Sequence, residues 1–120
     1  MVVDKLSDDD VDLLFRALAD ATRRDIVTRV LHREQSVSTL ADGYAMSFAA
    51  IQKHVSVLER AQLVRKERRG REQIVYPKPD AIRSALRMLE SYELLWRDRV
   101  SRMDQFLADD LPKRPNTKEK

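Results

Sequence analysis

The sequence predicts a mainly α-helical domain with one small β-hairpin, its elements in the order α-α-α-α-β-β-α. Three observations predict it. Apolar residues recur every three or four positions through most of the chain, the pattern turns to alternation between Leu63 and Tyr76, and Ser or Asp stands where most of the early helices should begin. A length of 120 residues suits one modest core, expected over 1–110, followed by a disordered tail over 111–120 that holds two prolines and four Lys or Arg.

The first helix is expected from about Asp8 to Ala19. Ser7 caps it, Asp8, Asp9 and Asp10 fall in the first turn where the helix dipole favours them, and Val11, Leu14, Phe15 and Leu18 form its apolar face. Asp20 opens a second helix to about His32, with Ile26, Val27, Val30 and Leu31 turned inward. Its opening turns hold Arg23 and Arg24. Cations are unfavourable at a helix N-terminus unless an anion lies near, so this pair either approaches a phosphate or stays solvated. After a loop over 32–35, a short third helix runs from Ser38 to about Tyr44 and buries Leu40 and Ala41.

The fourth helix organises the rest. Ser47 caps it, and Ile51, Val55 and Leu58 repeat at helical spacing, which makes one buried face. The opposite face carries Phe48, Ala49, Gln52, Lys53 and Ser56, without the carboxylates a merely solvated helix usually shows. Such a face suits the major groove of DNA, where acids would be repelled by phosphate while Gln, Lys and Ser can bond base edges. An ordinary amphipathic core helix is the alternative. Two short helices joined by three or four residues, the second with this outer face, form a helix-turn-helix.

Leu63–Arg68 and Glu72–Tyr76 read as two strands around Arg69-Gly70-Arg71, a wing with a basic tip. Beside a groove-reading helix the tip could reach the minor groove or its phosphates; a solvated hairpin with charged edges is the alternative. The last helix, expected over Asp80–Asp109, carries Ile82, Ala85, Leu89, Tyr92, Trp96, Val100, Met103 and Phe106 at spacings of three and four. That face is roughly 40 Å long at 1.5 Å per residue, too long for a domain of this size to cover alone. The expected cover is the last and first helices of a second subunit in a two-fold dimer, through Val11, Leu14 and Phe15 with Leu89, Tyr92, Trp96, Val100, Met103 and Phe106. A monomer with its last helix folded back is the other possibility.

Charge is sorted along the chain. The net charge is only +3, yet from Met1 to Asp20 six acids stand against two bases, while from Ser47 to Arg71 seven bases stand against two acids. The basic cluster coincides with the fourth helix and the wing, as a nucleic-acid footprint would.

Several classes are disfavoured. With no cysteine there is no disulfide, thiolate metal site or cysteine nucleophile. No Ser/His/Asp order, paired-carboxylate motif or phosphate-cradling glycine loop is present, so an enzyme is not expected. No apolar run approaches a membrane span, and Met1–Asp10 is too acidic for a signal peptide, so a cytoplasmic protein is expected.

The order of elements and the residues Leu14–Leu31, Val37–Tyr76 and Ser91–Leu107 resemble the ArsR (SmtB/ArsR) family of winged helix-turn-helix repressors. The signatures are Ala-Asp-x-Thr-Arg-Arg from Ala19, Ser-x-x-x-Ile-x-x-His from Ser47, and Leu-Val-x-x-x-Arg-x-Gly-Arg from Leu63. The resemblance implies a homodimeric transcription factor that binds a roughly palindromic operator and usually represses. It places recognition-helix contacts at Ser47, Phe48, Ala49, Gln52, Lys53 and His54, and wing contacts at Arg68, Arg69 and Arg71. Phe48 and Ala49 stand where the family often has polar residues, and would offer apolar contact, as to thymine methyl groups. Metal sensing is not expected. The cysteines that some members carry in the third helix are replaced here by Val37–Asp42, and the last helix has no histidine. His32 lies at a helix end and His54 in the recognition helix, so neither is expected to hold a metal.

The leading expectation is a dimeric DNA-binding repressor with no cofactor. Arg23, Arg24 and the wing would hold phosphates, while Gln52, Lys53 and Ser56 would read bases. The alternatives are a winged-helix dimerisation module with a protein partner and a non-specific nucleoid binder. A signal would act at the first-helix and last-helix interface, through a small hydrophobic ligand near Tyr92 and Trp96, a protein, or no ligand at all.

Overall fold

A computed structural model of the chain describes residues 6–110. The expected tail over 111–120 lies outside the described residues. The elements are α1 (Asp8–Leu18), α2 (Ala21–His32), β1 (Gln35–Ser36), α3 (Val37–Asp42), α4 (Phe48–Arg60), β2 (Val64–Arg69), β3 (Glu72–Pro77) and α5 (Asp80–Asp110). The chain folds as a winged helix-turn-helix. Residues up to Leu86 form one compact unit, and those from Arg87 a second.

Side-chain oxygens start the first four helices. Ser7 accepts from the Asp10 N–H at 3.1 Å, Asp20 from Arg23 at 3.0 Å, Ser36 from Thr39 at 3.0 Å and Ser47 from Ala50 at 3.1 Å. Each satisfies one of the amide donors a helix start leaves open, worth about 1 kcal/mol apiece. Between these starts the apolar faces converge. Leu14 of α1, Ile26 and Val30 of α2, Leu40 of α3, Ile51, Val55 and Leu58 of α4, and Val64 and Val75 of the hairpin are fully buried together. Ala81 and Ala85 close this core from the first turns of α5.

Three expectations change. Leu14, expected in a dimer interface, is 1% exposed and belongs to this core. Leu31, expected inward, is 52% exposed, because α2 buries its Ile26, Val27 and Val30 face and Leu31 falls beside it. The loop expected over 32–35 gives way to a strand, because Gln35 and Ser36 pair with Val75 and Ile74. The sheet is therefore three-stranded and antiparallel, in the order β1-β3-β2. Strand β1 feeds directly into α3, which ends at Asp42 rather than Tyr44.

Two positive-φ residues set the direction of the second half. At the end of α4, Gln62 has φ of 64°, its N–H bonds to Glu59 O at 3.0 Å and the Leu63 N–H to Leu58 O at 3.0 Å. This is a Schellman stop, in which a left-handed residue turns the chain from helix into strand while Leu63 dives into the core. In the hairpin, Arg69 pairs with Glu72 across Gly70-Arg71, and Gly70 has φ of 65°. A positive φ at the first central residue alone is the type II′ pattern, which matches the twist of the strands.

The unit from Arg87 is the rest of α5. Leu89, Tyr92, Trp96, Met103 and Phe106, on one stripe of the helix, are 47–66% exposed. Arg97 to Glu93 at 2.9 Å, together with Arg102 to Asp98, lace its polar surface at i, i+4 spacing. No helix among the described residues is long and apolar enough to cross a membrane.

Candidate nucleic-acid interface

Helix α4 turns Ile51, Val55 and Leu58 inward with no exposure, which fixes its other side toward solvent. Phe48, Ala49, Gln52 and Lys53 are exposed there, Phe48 at 47%, and Ser56 is half-buried. Gln52, Lys53 and Ser56 line one shallow groove with Arg60 and with Lys66 of the neighbouring strand β2. Arg60 and Lys66 were not foreseen. Arg60 could have been, since it lies four residues beyond Ser56 and so continues the same ridge.

The two acids within Ser47–Arg71 are both paired. Glu59 meets Lys66 at 3.5 Å and Glu67 meets Arg65 at 3.6 Å. Lys53, Arg60, Arg68, Arg69 and Arg71 meet no carboxylate within 4 Å among the described residues, so bases outnumber acids on this surface, although exposed Glu72 stands opposite Arg69 beside the tip. On the wing, Arg65 lies 4.3 Å and Arg69 5.8 Å from the Tyr76 ring, and Arg69 also donates to the Tyr76 hydroxyl. Burial pushes the Tyr76 phenol up, so it stays a neutral platform for both cations. Arg68 reaches back to the Gly70 carbonyl at 3.3 Å, and Arg71 is exposed at the tip.

The connection between α3 and α4 is braced from α2. The Tyr44 hydroxyl donates to Asp25 at 2.6 Å, Arg29 Nε meets the same carboxylate oxygen at 2.9 Å, and the Arg29 guanidinium lies 4.7 Å from the Tyr44 ring. The Tyr44 hydroxyl and the Arg29 cation hold the Asp25 carboxyl below the usual range, while burial and the Asp25 bond push the Tyr44 phenol up to about 12. Gly43 beside it leaves room for Arg29. A Cβ there would meet Nη1 of Arg29 at 2.4 Å.

Arg23, Arg24 and His54 stand apart from the groove. Arg23 Nε donates to Ala17 O at 2.8 Å and Nη2 to Arg16 O at 3.1 Å, while Nη1 lies 3.3 Å from His54 Nδ1 and 3.9 Å from Asp20. Arg24 Nη1 donates to Leu18 O at 2.8 Å. The cations at the start of α2 are thus explained by the end of α1. They satisfy its last carbonyls at the negative end of its dipole, which offsets the cost of placing cations at the start of α2. The Arg23 N–H likewise holds the Asp20 carboxyl below its ordinary value.

A solved structure described as an ArsR-like transcriptional regulator from Rhodococcus sp. RHA1 is 31% identical, with a TM-score of 0.72 and coverage of 81% of this chain and 92% of that one. The chain belongs to the ArsR family of transcriptional regulators. In sequence it is 40% identical over 70 residues to the HTH-type transcriptional regulator KmtR of Mycobacterium tuberculosis, a match over 56% of this chain and 54% of KmtR. The chain spans about half the length of the curated relatives it matches. No family model matches it. A homodimeric winged helix-turn-helix DNA-binding domain from Mycobacterium bovis, 24% identical over 78% of this chain and 92% of its own with a TM-score of 0.58, shares the fold. The relatives it matches are described as transcriptional regulators. Among the described residues no cluster of His, Asp or Glu could hold a metal ion.

Proposed function

We propose that this ArsR-family chain is a homodimeric repressor that binds a palindromic operator, with α4 in the major groove and the wing on the adjacent minor groove or backbone. The observation that carries this reading is the predominantly cationic face of α4, β2 and the hairpin tip, where seven bases stand against Glu59 and Glu67, both paired with bases of the same face, and Glu72 beside the tip. Charge of that kind draws in phosphate, and Gln52, Lys53 and Ser56 offer donors and acceptors to base edges. Phe48 and Ala49 would pack on thymine methyl groups. Wing contacts fall to Arg68, Arg69 and Arg71.

The second subunit would cover the stripe of α5 formed by Leu89, Tyr92, Trp96, half-buried Val100, Met103 and Phe106, with Val11 and Phe15 of α1; Leu14 is excluded by its burial. The homodimeric state of the Mycobacterium bovis domain supports this. Two α4 helices would then enter successive major grooves about 34–36 Å apart. A signal that alters this interface, a ligand near Tyr92 and Trp96 included, would change that spacing.

The test is selection of duplexes from a random pool, followed by gel shift against random DNA. A selected site with inverted half-sites about one turn apart supports the reading. Gln52→Ala should blunt the preference with little change in salt slope. Equal affinity for selected and random duplex would leave a non-specific binder, and elution from heparin at low salt without retention would favour a protein partner.

A further inference from the structure

We propose that Arg23 is a positioning residue that transmits the placement of α1 to the reading helix α4 through His54. Its operator assay rests on the function proposed above; its structural assay does not. Arg23 is 16% exposed, and its guanidinium touches three elements at once: the Arg16 and Ala17 carbonyls that end α1, Asp20 at the start of α2, and His54 within α4. A guanidinium is a planar fork with fixed angles between its donors, so a displacement of the α1 carbonyls is carried to Nη1 rather than absorbed by a rotor. Because guanidinium nitrogens only donate, His54 Nδ1 must accept, which puts the ring hydrogen of the neutral imidazole on Nε2. His54 lies between Lys53, which faces outward, and Val55, which has no exposure. The far side of α1 presents Phe15 at 38% exposure. One side chain thus connects a surface open to a subunit or ligand with the helix that would read bases.

Protonation of His54 turns Nδ1 from acceptor to donor and breaks the link, which gives a readout that simple capping of α1 would not move. The charged groups facing His54 are Arg23 and Asp20 from the start of α2. Lys53 is its neighbour on α4, and α1 contributes the two carbonyls. In a nitrogen-15 NMR pH titration of the full chain, the amides of Ala17 and Val55 should shift together with the His54 ring. In Arg23→Lys, which keeps the charge and loses the fork, Val55 should still follow His54 while Ala17 goes flat. Arg23→Lys and His54→Ala should each bind the operator about tenfold more weakly, with random duplex changed by less than about twofold and dimer content unchanged. In His54→Asn, whose amide oxygen replaces Nδ1, the Ala17 and Val55 amides should keep their wild-type positions and lose their dependence on pH. Ala17 titrating unchanged in Arg23→Lys overturns the proposal, as does operator binding by a folded His54→Ala that equals wild type. If wild type selects no operator, the function above fails and the NMR coupling still decides this link. If Arg23→Lys does not fold, the two His54 variants decide it.

Discussion

Replacing Gln62 by glycine should make the protein more stable, against the usual direction for a glycine substitution. Gln62 holds φ of 64° so that α4 can stop and Leu63 can enter the core. A side chain with a Cβ costs about 1–2 kcal/mol in that region, because Cβ crowds the following carbonyl. Glycine removes this cost, and gives back about 0.5–1 kcal/mol through the greater freedom of the unfolded chain. The Lys78 Nζ bond to Gln62 Oε1, 3.2 Å long and exposed, is lost at a cost of a few tenths. The net expectation is a gain of about 0.5 kcal/mol, or roughly 2 °C in Tm for a chain of this size. Gln62→Ala separates the two contributions, since it loses the lysine bond and keeps the Cβ. It should melt at or slightly below wild type. The assay is thermal and urea unfolding followed by circular dichroism, at one fixed protein concentration because association shifts Tm. Glycine melting no higher than alanine would refute the reasoning and mean that the turn is not strained.

Three further outcomes are expected. Leu14→Ala should lose about 3 kcal/mol of stability as a core cavity, whereas Phe15→Ala, one residue on and outside the core, should leave unfolding of the dilute protein nearly unchanged and lower dimer content in sedimentation. The Tyr44 phenol, raised to about 12, favours the folded state fully below its ordinary value of 10.0 and loses that contribution as pH rises through 12. Phenolate absorbance should therefore show Tyr44 titrating late, alongside a raised Tyr76, and Asp25→Asn should move the Tyr44 step earlier. The Asp25 carboxyl, held low, contributes above the ordinary carboxylate range and loses its contribution as pH falls through its lowered value, so Asp25→Asn should also flatten the acid side of the stability profile. Finally, Arg71→Ala should weaken operator and random duplex alike and reduce the slope of log affinity against log salt by about 0.9, read by fluorescence anisotropy at several salt concentrations.

Much of the fold was legible because it rests on local chemistry. Ser7, Asp20 and Ser47 mark helix starts by their own hydrogen bonding, and the Arg69-Gly70-Arg71 turn is marked by the glycine that a positive φ favours. What was not legible is what depends on a distant neighbour. Strand β1 is two residues long, too short to alternate, and exists only because β3 passes beside it. The stripe Val11, Leu14, Phe15 and Leu18 was a sound helical face, but periodicity cannot tell a face covered by the protein's own core from one left open. Leu14 went to the first and Phe15 to the second. The partners of Arg23 and Arg24 were hidden for the same reason. Judged on α2 alone they lacked an anion, and the carbonyls that satisfy them belong to α1. On the candidate interface, the outward set of α4 followed from its buried set, whereas Lys66 depended on where β2 runs.

The small strand β1 also limits how the hairpin can bend. Its two residues pair with Ile74 and Val75, so the inner length of β3 is flanked on both sides, by β1 and by β2, while the outer length beyond Gln73 has β2 alone for company. The last few residues around Gly70 are held by fewer ladder bonds, and the root of the hairpin is tied to α3, which β1 leads into directly. A duplex of varying groove width would be met by a compliant tip on a stiff mount, so that the tip can adapt to local shape without disturbing the alignment of the helix beside it.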